Sequence, residues 1–287
     1  MANVVIVGAG LAGLSTGLVL NRLGHAVTIL EKKSFPFHKV CGEYVSNEVL
    51  PFLGSFGIDI RQTNAASLTR FKVTSTQGKQ VELPLDMGGF GLSRYRFDEL
   101  LFKQAVAAGV SFRTETKVTD IRFVENNFLV QLADSSELSA DLVIGAYGKR
   151  SNLDQKLHRR FFYNRSPYMG VKYHIRSDFP VDLIQLDLFR GGYSGICKIE
   201  DDRYSLCYLS ITENLKQHAS IAEMEQHVLF QNPFFRDHYQ NAEFLPEPAE
   251  IINQVTFEQK PLVENHILFC GDSAGMISPL CGNGMAM

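Results

Sequence analysis

Apolar runs alternate with glycine-rich turns and amphipathic stretches along the chain, and the first such unit is the clearest. Residues 4–7 form a continuous apolar run, as expected for a strand buried on both faces. From residue 11 to 23 the apolar positions recur at helical spacing, and Gly24 follows as a helix-ending residue. A second β run, residues 26–30, ends at Glu31. The pattern predicts a strand, a helix and a second strand.

Later segments predict a group of antiparallel strands. Residues 68–84 contain two β-like runs around a turn, which predicts a hairpin, and the glycine-rich residues 86–91 are expected to form a loop after it. Residues 167–211 hold four β runs at short spacing, and the last alternates in polarity, as in a sheet with one covered face. The Pro- and Asn-rich stretch 233–261 is expected to be a return connection.

Two later apolar runs resemble the first one and are also typical of strands buried on both faces. Residues 142–144 and 267–270 are each predicted to be a buried strand that runs into glycine. Between the two groups, residues 97–108 show an apolar helical face with acidic residues in the first turn. Strands that end in glycines and charged side chains are typical of the ligand-binding edge of a parallel sheet. We therefore predict an α/β protein that combines a parallel sheet with an antiparallel one.

Composition narrows the class of protein. The 287 residues are 45% hydrophobic and 21% charged, and a net charge of −3 gives no electrostatic reason to expect nucleic acid as a partner. No run approaches the ~20 apolar residues that a membrane span requires, and the N-terminus lacks the basic segment of a secretion signal. A cytoplasmic protein is expected. Five cysteines without a CxxC pair and eight histidines without an HxxxH or HExxH pair predict neither a disulfide framework nor a metal site.

The turn after the first strand carries the candidate chemistry. Gly8, Gly10 and Gly13 fit GxGxxG, in which the glycines permit a tight turn, the approach of a pyrophosphate to the backbone, and close packing of helix on strand. The start of the following helix is an anion site because its N–H groups are free there. Glu31, 18 residues beyond Gly13, is placed to accept hydrogen bonds from a ribose. The unit predicts dinucleotide binding, with FAD and NAD(P) both open.

Separated segments together resemble the FAD-dependent oxidoreductases of the p-hydroxybenzoate-hydroxylase-like superfamily. GAGLAG at residues 8–13, with Glu31, matches the first FAD fingerprint of that family. SRYRFDELL at residues 93–101 resembles its R-x-x-(F/L)-D-x-x-L segment. GDSAGMISPLCGNGM at residues 271–285 is similar to its GD-x₆-P-x-x-G-x-G segment. The resemblance covers nearly the whole chain and implies FAD as the cofactor, with NAD(P)H as a possible electron donor.

The resemblance also implies roles for individual residues. It places Arg94 near the ribityl-phosphate part of the flavin and Asp272 on the ribityl chain, and it brings Cys41 and Gly42 close to the flavin. No residue is predicted to be a catalytic acid or base, because no pair of groups has a defined geometry. The candidate cofactor-binding residues are Gly8, Ala9, Gly10, Leu11, Ala12, Gly13, Glu31, Lys32, Cys41, Gly42, Arg94, Val118, Asp272, Gly282 and Gly284.

The resemblance implies two domains. A Rossmann-like, three-layer FAD-binding domain is expected from residues 1–66, 91–166 and 262–287, and an inserted antiparallel-sheet substrate domain from residues 67–90 and 167–261. Relatives continue past the GD segment through a long helix, so the chain resembles a family member whose C-terminal helix is truncated.

The chain departs from the family pattern in its middle fingerprint. Tyr147 stands where the family has the aspartate of Asp-Gly, and Asp154 stands where it has arginine. That segment helps to bind pyrophosphates, so the usual mode of NAD(P)H use is not expected.

The branch of the superfamily stays open. KVCGEYVS and GGYSGICKIEDDRYSLC are most similar to the geranylgeranyl-reductase-like and dehydrogenase-like branch. Of the Y-x-W-x-F-P-K signature of that branch, only Tyr193 and a nearby lysine, Lys198, are present, with Gly195 at the tryptophan position. The chain has no tryptophan, so the W-x-W-x-I-P motif of flavin-dependent halogenases is absent.

Three functions remain as hypotheses. The first is a monooxygenase-type, FAD-dependent oxidoreductase that acts through reduced flavin on an apolar or aromatic small molecule, with Tyr193, His174 and Tyr208 as pocket candidates that core packing explains equally well. The second is a flavin-dependent reductase of prenyl or other lipid C=C bonds, for which peripheral membrane contact is possible. The third is a truncated flavin-binding protein without turnover. The product mass separates the first two, and the absence of bound flavin would favour an inactive form of the third.

Overall fold

The strands form three sheets, and a computed structural model describes them within residues 1–286, apart from the side chains of Gln254 and Cys281. Met287, the last residue of the predicted FAD-binding segments, lies outside the described residues. In chain order the strands are β1 (Asn3–Val7), β2 (Ala26–Leu30), β3 (Tyr44–Ser46), β4 (Ala66–Thr74), β5 (Gln80–Gly91), β6 (Ser111–Arg113), β7 (Val118–Val124), β8 (Asn127–Leu132), β9 (Glu137–Ala140), β10 (Leu142–Gly145), β11 (Tyr168–Arg176), β12 (Leu183–Phe189), β13 (Gly192–Lys198), β14 (Tyr204–Ile211), β15 (Glu243–Phe244), β16 (Glu250–Val255), β17 (Val263–Glu264) and β18 (Ile267–Phe269). The α-helices are α1 (Leu11–Arg22), α2 (Leu50–Gly54), α3 (Arg94–Ala107), α4 (Asn152–Lys156), α5 (Thr212–Lys216), α6 (Ile221–His227) and α7 (Pro233–Gln240).

The first sheet has the order β17-β18-β10-β1-β2-β6. Its strands are parallel except for β17 at the edge. Val7, the last residue of β1, lies opposite Leu30 of β2 and Gly145 of β10. The carboxyl ends of three adjacent strands therefore meet at one edge, where α/β sheets bind their ligands.

Side-chain alternation along β1 explains why this sheet lies between two other layers. Val4 and Ile6 pack with Leu14 and Leu18 of α1 on one face. Val5 and Val7 point to the other face, where the core includes residues of the antiparallel sheet β7-β8-β9. Residues 4–7 are 5% exposed or less, as a strand covered on both faces requires. The predicted α/β architecture with a three-layer, Rossmann-like part is confirmed.

The third sheet is the largest and carries the predicted antiparallel strands. Its order is β15-β11-β14-β13-β12-β4-β5-β3, and β16 pairs with β11. The hairpin of β4 and β5 is confirmed, and β11, β14, β13 and β12 are antiparallel neighbours. On one face, Leu206 packs in a core with Met224 of α6 and Phe235 of α7. The division of the chain into two domains stays a prediction.

The prediction of a loop at residues 86–91 is wrong, because these residues form the second half of β5. Gly89 allows this half to pack against β3, since a Cβ at Gly89 would lie 2.2 Å from the ring of Tyr44. Phe90 is buried and pairs with Val45. The glycines thus serve close packing of two strands rather than a turn.

The return connection predicted at residues 233–261 contains α7, β15 and β16. Pro233 is the first residue of α7, a position where its missing N–H has no helical partner. The Asn232 side chain caps this helix by accepting hydrogen bonds from the N–H groups of Phe234 and Phe235. The Asn-Pro pair therefore starts a helix.

Candidate functional site

The turn between β1 and α1 is held by very close backbone packing. Gly8 has a φ of 106°, and a Cβ there would lie 2.5 Å from the carbonyl oxygen of Ala146. A Cβ at Gly13 would lie 2.0 Å from the carbonyl oxygen of Gly8. Only glycine fits at either position, so the helix start is pressed against the end of β1, as the spacing predicted.

Glu31 reaches this turn from the end of β2. Its Oε2 accepts a hydrogen bond of 2.9 Å from the N–H of Ala9, and its Oε1 accepts one of 3.1 Å from the N–H of Lys33. The residue is 7% exposed. A buried carboxylate is thereby fixed beside the glycine turn, where the sequence predicted a ribose-binding acid.

Two cations face the same turn. The guanidinium of Arg94, the first residue of α3, bonds both carboxylate oxygens of Asp98 at 2.7 and 2.9 Å. Lys39 Nζ lies 2.6 Å from Oδ2 of Asp98. A Cβ at Gly10 would lie 3.5 Å from Lys39 Nζ and 3.9 Å from Nη2 of Arg94. One carboxylate shared by two cations leaves positive charge next to the glycine that a pyrophosphate would approach.

Lys39 is a candidate site residue that the sequence did not reveal. It lies in an irregular segment whose lysines at positions 32, 33 and 39 look alike in sequence, and contact with Asp98 distinguishes it only in three dimensions. Burial lowers the pKa of Lys39, and the neighbouring charge of Arg94 lowers it further.

The C-terminal GD segment packs against the same corner. A Cβ at Gly271 would lie 2.6 Å from the Cβ of Ala12 in α1. Ser273 Oγ donates to the carbonyl oxygen of Gly145 at 2.9 Å, and Lys260 Nζ donates to the carbonyl oxygen of Asp272 at 2.7 Å. The fold thus brings together the first and last fingerprint segments, although more than 250 residues separate them in sequence.

A cavity of about 790 Å³ extends from this corner to the large sheet. Six of the candidate cofactor residues line it, namely Cys41, Gly42, Arg94, Asp272, Gly282 and Gly284. The sheet contributes the apolar residues Phe71, Ile184, Leu186, Leu209, Ile252 and Val255. Tyr193 and Tyr208, both pocket candidates, are also among the lining residues, but the hydroxyl of Tyr208 lies on the helix-covered face of the sheet, where it donates to Oε1 of Glu225 at 2.9 Å.

The other candidates lie elsewhere. Ala9, Leu11 and Ala12 belong to the β1–α1 turn and the start of α1. Lys32 is exposed, and Val118 packs in a core that includes Leu30 of β2. His174 does not line the cavity but is buried in a charged network. The cofactor contacts of all these residues stay predictions.

The charged network is centred on Glu43, which is completely buried. Its Oε1 accepts hydrogen bonds from the N–H of Arg94 and from Lys172 Nζ, each at 3.0 Å. Its Oε2 lies 2.7 Å from Nε2 of His174. Burial alone would raise the pKa of Glu43, but the hydrogen bond to His174 and the charge of Lys172 outweigh it and lower the pKa to about 2.

The network continues to the surface through His174. Its Nδ1 lies 3.0 Å from Oε2 of Glu247, and Oε1 of Glu247 pairs with Arg203 at 2.9 Å. Burial alone would lower the pKa of His174, but the hydrogen bond and charge of Glu43 raise it. A sequence signal existed for this network, because Lys172 and His174 alternate with apolar residues in β11 and so share one face.

One histidine cluster in the described part of the chain has the composition of a metal site. Ligand atoms of His38, His174 and Glu247 lie within 4.8 Å of one another. Both ring nitrogens of His174 are already bonded to carboxylates, and Arg203 pairs with Glu247. Lys172 adds a further positive charge nearby. We therefore describe the cluster as an ion-pair network and assign it no metal.

The geometry fits FAD, since a buried acid, two cations and a close backbone approach meet at the glycine turn, and Arg94 of this group also lines the cavity. The chain belongs to the FAD binding domain family, whose model matches residues 1–287. It is an FAD-dependent oxidoreductase of the p-hydroxybenzoate-hydroxylase-like superfamily, and the prediction of FAD as its cofactor is confirmed.

Relatives and solved structures of several reaction types resemble the chain. Violacein synthase of Chromobacterium violaceum is 26% identical over 100% of this chain and 75% of its own length. Digeranylgeranylglycerophospholipid reductase 2 of Methanopyrus kandleri is 24% identical over 99% of this chain and 73% of its own length. The crystal structure of the flavin-dependent halogenase CmlS superposes with a TM-score of 0.84 at 23% identity, over 99% of this chain and 55% of CmlS. Within residues 1–286, no helix has the length and apolar character needed to cross a bilayer.

Proposed function

We propose that the protein is a monooxygenase-type flavoenzyme that acts on an uncharged, apolar or aromatic small molecule. The observation that carries this proposal is the continuity of the cavity from Arg94 and Asp272 to the apolar side chains of the large sheet. A cofactor bound at the charged end would present its reactive ring toward the apolar end.

The distribution of charge in the cavity supports an uncharged substrate. The charged residues that line it are Glu43, Glu48, Arg94, Lys149 and Asp272, and none of them lies on β4 or on β11–β16. Among the described residues, the lining positions on β4 and β11–β16 carry no ionisable acid or base other than tyrosine and cysteine. A carboxylate or phosphate on the substrate would lose its hydration without gaining a partner at this wall.

In this proposal the residues of the chain bind and orient FAD and shield its reacting end from water. FAD, when bound, supplies the redox chemistry and the reaction with oxygen. Arg94 and Lys39 would hold its phosphates, Glu31 its ribose and Asp272 its ribityl chain. Leu186 and its apolar neighbours would exclude water from the reacting end of the cavity.

A lipid C=C reductase is the second candidate. It is favoured by the reductase relative, which matches 99% of this chain, and by the apolar wall, which also suits a prenyl chain. Two features count against it. Gly195 occupies the tryptophan position of the reductase signature, and Lys198, counted from Tyr193, falls at its proline position rather than at its lysine position.

Two measurements test the proposal. An absorbance scan of the purified protein should show flavin bands near ~450 nm. Oxygen uptake and product mass with NADPH, first with an aromatic and then with a prenyl substrate, separate the two candidates. A gain of one oxygen atom supports the monooxygenase, whereas a gain of two hydrogens without oxygen uptake supports the reductase.

A further inference from the structure

We propose that Glu43 is a positioning residue that couples the cofactor-facing loop 41–43 and Arg94 to strand β11 of the large sheet. The fingerprints do not assign this role, and the proposal is independent of which substrate the enzyme uses.

The backbone of Glu43 adopts a conformation that its residue type disfavours. Its φ is +60°, in the left-handed region, where non-glycine residues are uncommon. The carbonyl oxygen of Glu43 accepts a hydrogen bond of 3.0 Å from the N–H of Leu92. Such a conformation persists only when surrounding contacts impose it, and residues of this kind concentrate at functional sites. For Glu43 the imposing contacts are those of its side chain.

Three donors from two separate elements converge on the Glu43 carboxylate. The N–H of Arg94 comes from the start of α3, and Lys172 and His174 come from β11. Both Lys172 and His174 are themselves buried. The carboxylate therefore joins the helix that presents Arg94 to a strand of the sheet that forms the apolar wall. Removing its charge would leave Lys172 buried without its partner.

The neighbours of Glu43 transmit its position to the cofactor end of the cavity. Cys41 and Gly42 precede it and line the cavity, and a Cβ at Gly42 would lie 3.6 Å from Sγ of Cys207. On the other side, Arg94 continues through Asp98 to Lys39 at the glycine turn. A shift of Glu43 would thus displace both the wall beside the flavin and the cations at the pyrophosphate corner.

His174 makes this coupling sensitive to pH. The groups that face it are Glu43 from the loop, Lys172 from its own strand, Glu247 after β15, and His38, whose ring centre lies 5.3 Å away. Arg203 bonds the other oxygen of Glu247. Protonated His174 donates to both carboxylates, and its deprotonation removes one of the two positive partners of Glu43. FAD affinity should therefore fall as the pH rises through the titration of His174.

The experiment compares FAD affinity in variants of the full chain by titrating apoprotein and following flavin fluorescence, without turnover. Glu43→Gln should weaken FAD binding about tenfold or more, as expected for the loss of one hydrogen bond to a charged group. The matched control is Glu225→Gln. Glu225 is equally buried and accepts hydrogen bonds from the hydroxyls of Tyr173, Tyr208 and Tyr239 on the helix-covered face of the same sheet. This control should bind FAD like the wild type.

A second variant keeps the test decisive if Glu43→Gln does not fold. His174→Gln retains a neutral donor toward Glu43 but cannot titrate, so between about pH 6 and 9 its FAD affinity should fall much less than that of the wild type. The proposal is overturned if Glu43→Gln binds FAD as tightly as the wild type, if Glu225→Gln weakens binding equally, or if His174→Gln keeps the wild-type pH profile.

Discussion

The hydroxyl of Tyr147 donates a hydrogen bond of 2.8 Å to Oδ1 of Asp154. These are the two positions at which the chain departs from the middle fingerprint of its family. Asp154 also accepts hydrogen bonds from Nη1 of Arg159 at 3.1 Å and, through Oδ2, from the N–H of Ser151 at 2.7 Å. The residues at the two departing positions therefore bond each other, and Arg159 bonds the same carboxylate oxygen.

The Arg159 guanidinium explains why Asp154 should matter more for stability than Tyr147. Arg159 and Asp154 both have fully buried side chains. Neutralising Asp154 therefore removes a negative charge that compensates the buried positive charge of Arg159. We expect Asp154→Asn to lower the free energy of unfolding by about 3 kcal/mol, and Tyr147→Phe by about 1 kcal/mol. Urea denaturation measures both.

The control for this pair is Glu213→Gln, which removes an exposed ion pair with Lys216. It should change the free energy of unfolding by less than about 1 kcal/mol. Equal losses for Asp154→Asn and Tyr147→Phe would contradict the assignment of the buried charge as the main contributor.

An added methyl group should lower FAD affinity at Gly10 but lower the stability of the fold at Gly13. A Cβ at Gly10 makes only ordinary contacts with Lys39 and Arg94, so Gly10→Ala should fold normally. The methyl would occupy the space where a pyrophosphate approaches the backbone, and FAD affinity should fall at least about tenfold. Fluorescence titration with FAD measures this loss.

For Gly13→Ala, the Cβ would meet the carbonyl oxygen of Gly8 at 2.0 Å. Relief of that overlap requires backbone movement, so we expect a loss of unfolding free energy of about 1–3 kcal/mol. Thermal unfolding without FAD should separate the two variants. If Gly10→Ala retained FAD while Gly13→Ala was fully stable, the glycine turn would not be the pyrophosphate site.

The sequence predicted the elements whose residues are close along the chain better than the contacts between distant ones. The β1–α1–β2 unit followed from apolar spacing and glycines because its contacts are local. The glycines of residues 86–91 were misassigned because their partner, Tyr44, is distant in sequence. Glu43 was missed for the same reason, since Arg94, Lys172 and His174 converge on it only in the fold.

Glu31 and Asp272 should each contribute to FAD retention. The Glu31 carboxylate lies at the glycine turn, and Asp272 lines the cavity. We expect Glu31→Ala and Asp272→Ala each to weaken FAD binding about tenfold, because each removes a charged hydrogen-bond acceptor. The absorbance ratio of flavin to protein after gel filtration measures retention.

A control is needed because Glu31 also accepts from Ala9 and Lys33. Glu31→Gln keeps an acceptor for one of these N–H groups and should fold more stably than Glu31→Ala while still binding FAD weakly. A Glu31→Ala, Asp272→Ala double variant that purifies yellow and fully loaded would count against both assignments.

Acid should weaken the fold through Glu43. The pKa of Glu43 is lowered from 4.5 to about 2, so the folded state holds the ionised form more strongly than the unfolded state does. The resulting stabilisation is complete above about pH 4.5 and is lost as the pH falls toward about 2; a shift of this size corresponds to about 3 kcal/mol. Glu43→Gln lacks this contribution at every pH. The difference in unfolding free energy between the wild type and Glu43→Gln should therefore shrink as the pH falls from about 5 to about 2.

Urea titrations at a series of pH values measure this difference. Glu225→Gln is the control, because burial raises the pKa of Glu225 and its variant should show no such acid-dependent convergence with the wild type. A difference for Glu43→Gln that stayed constant across this range would mean that the buried carboxylate is not held ionised by Lys172 and His174.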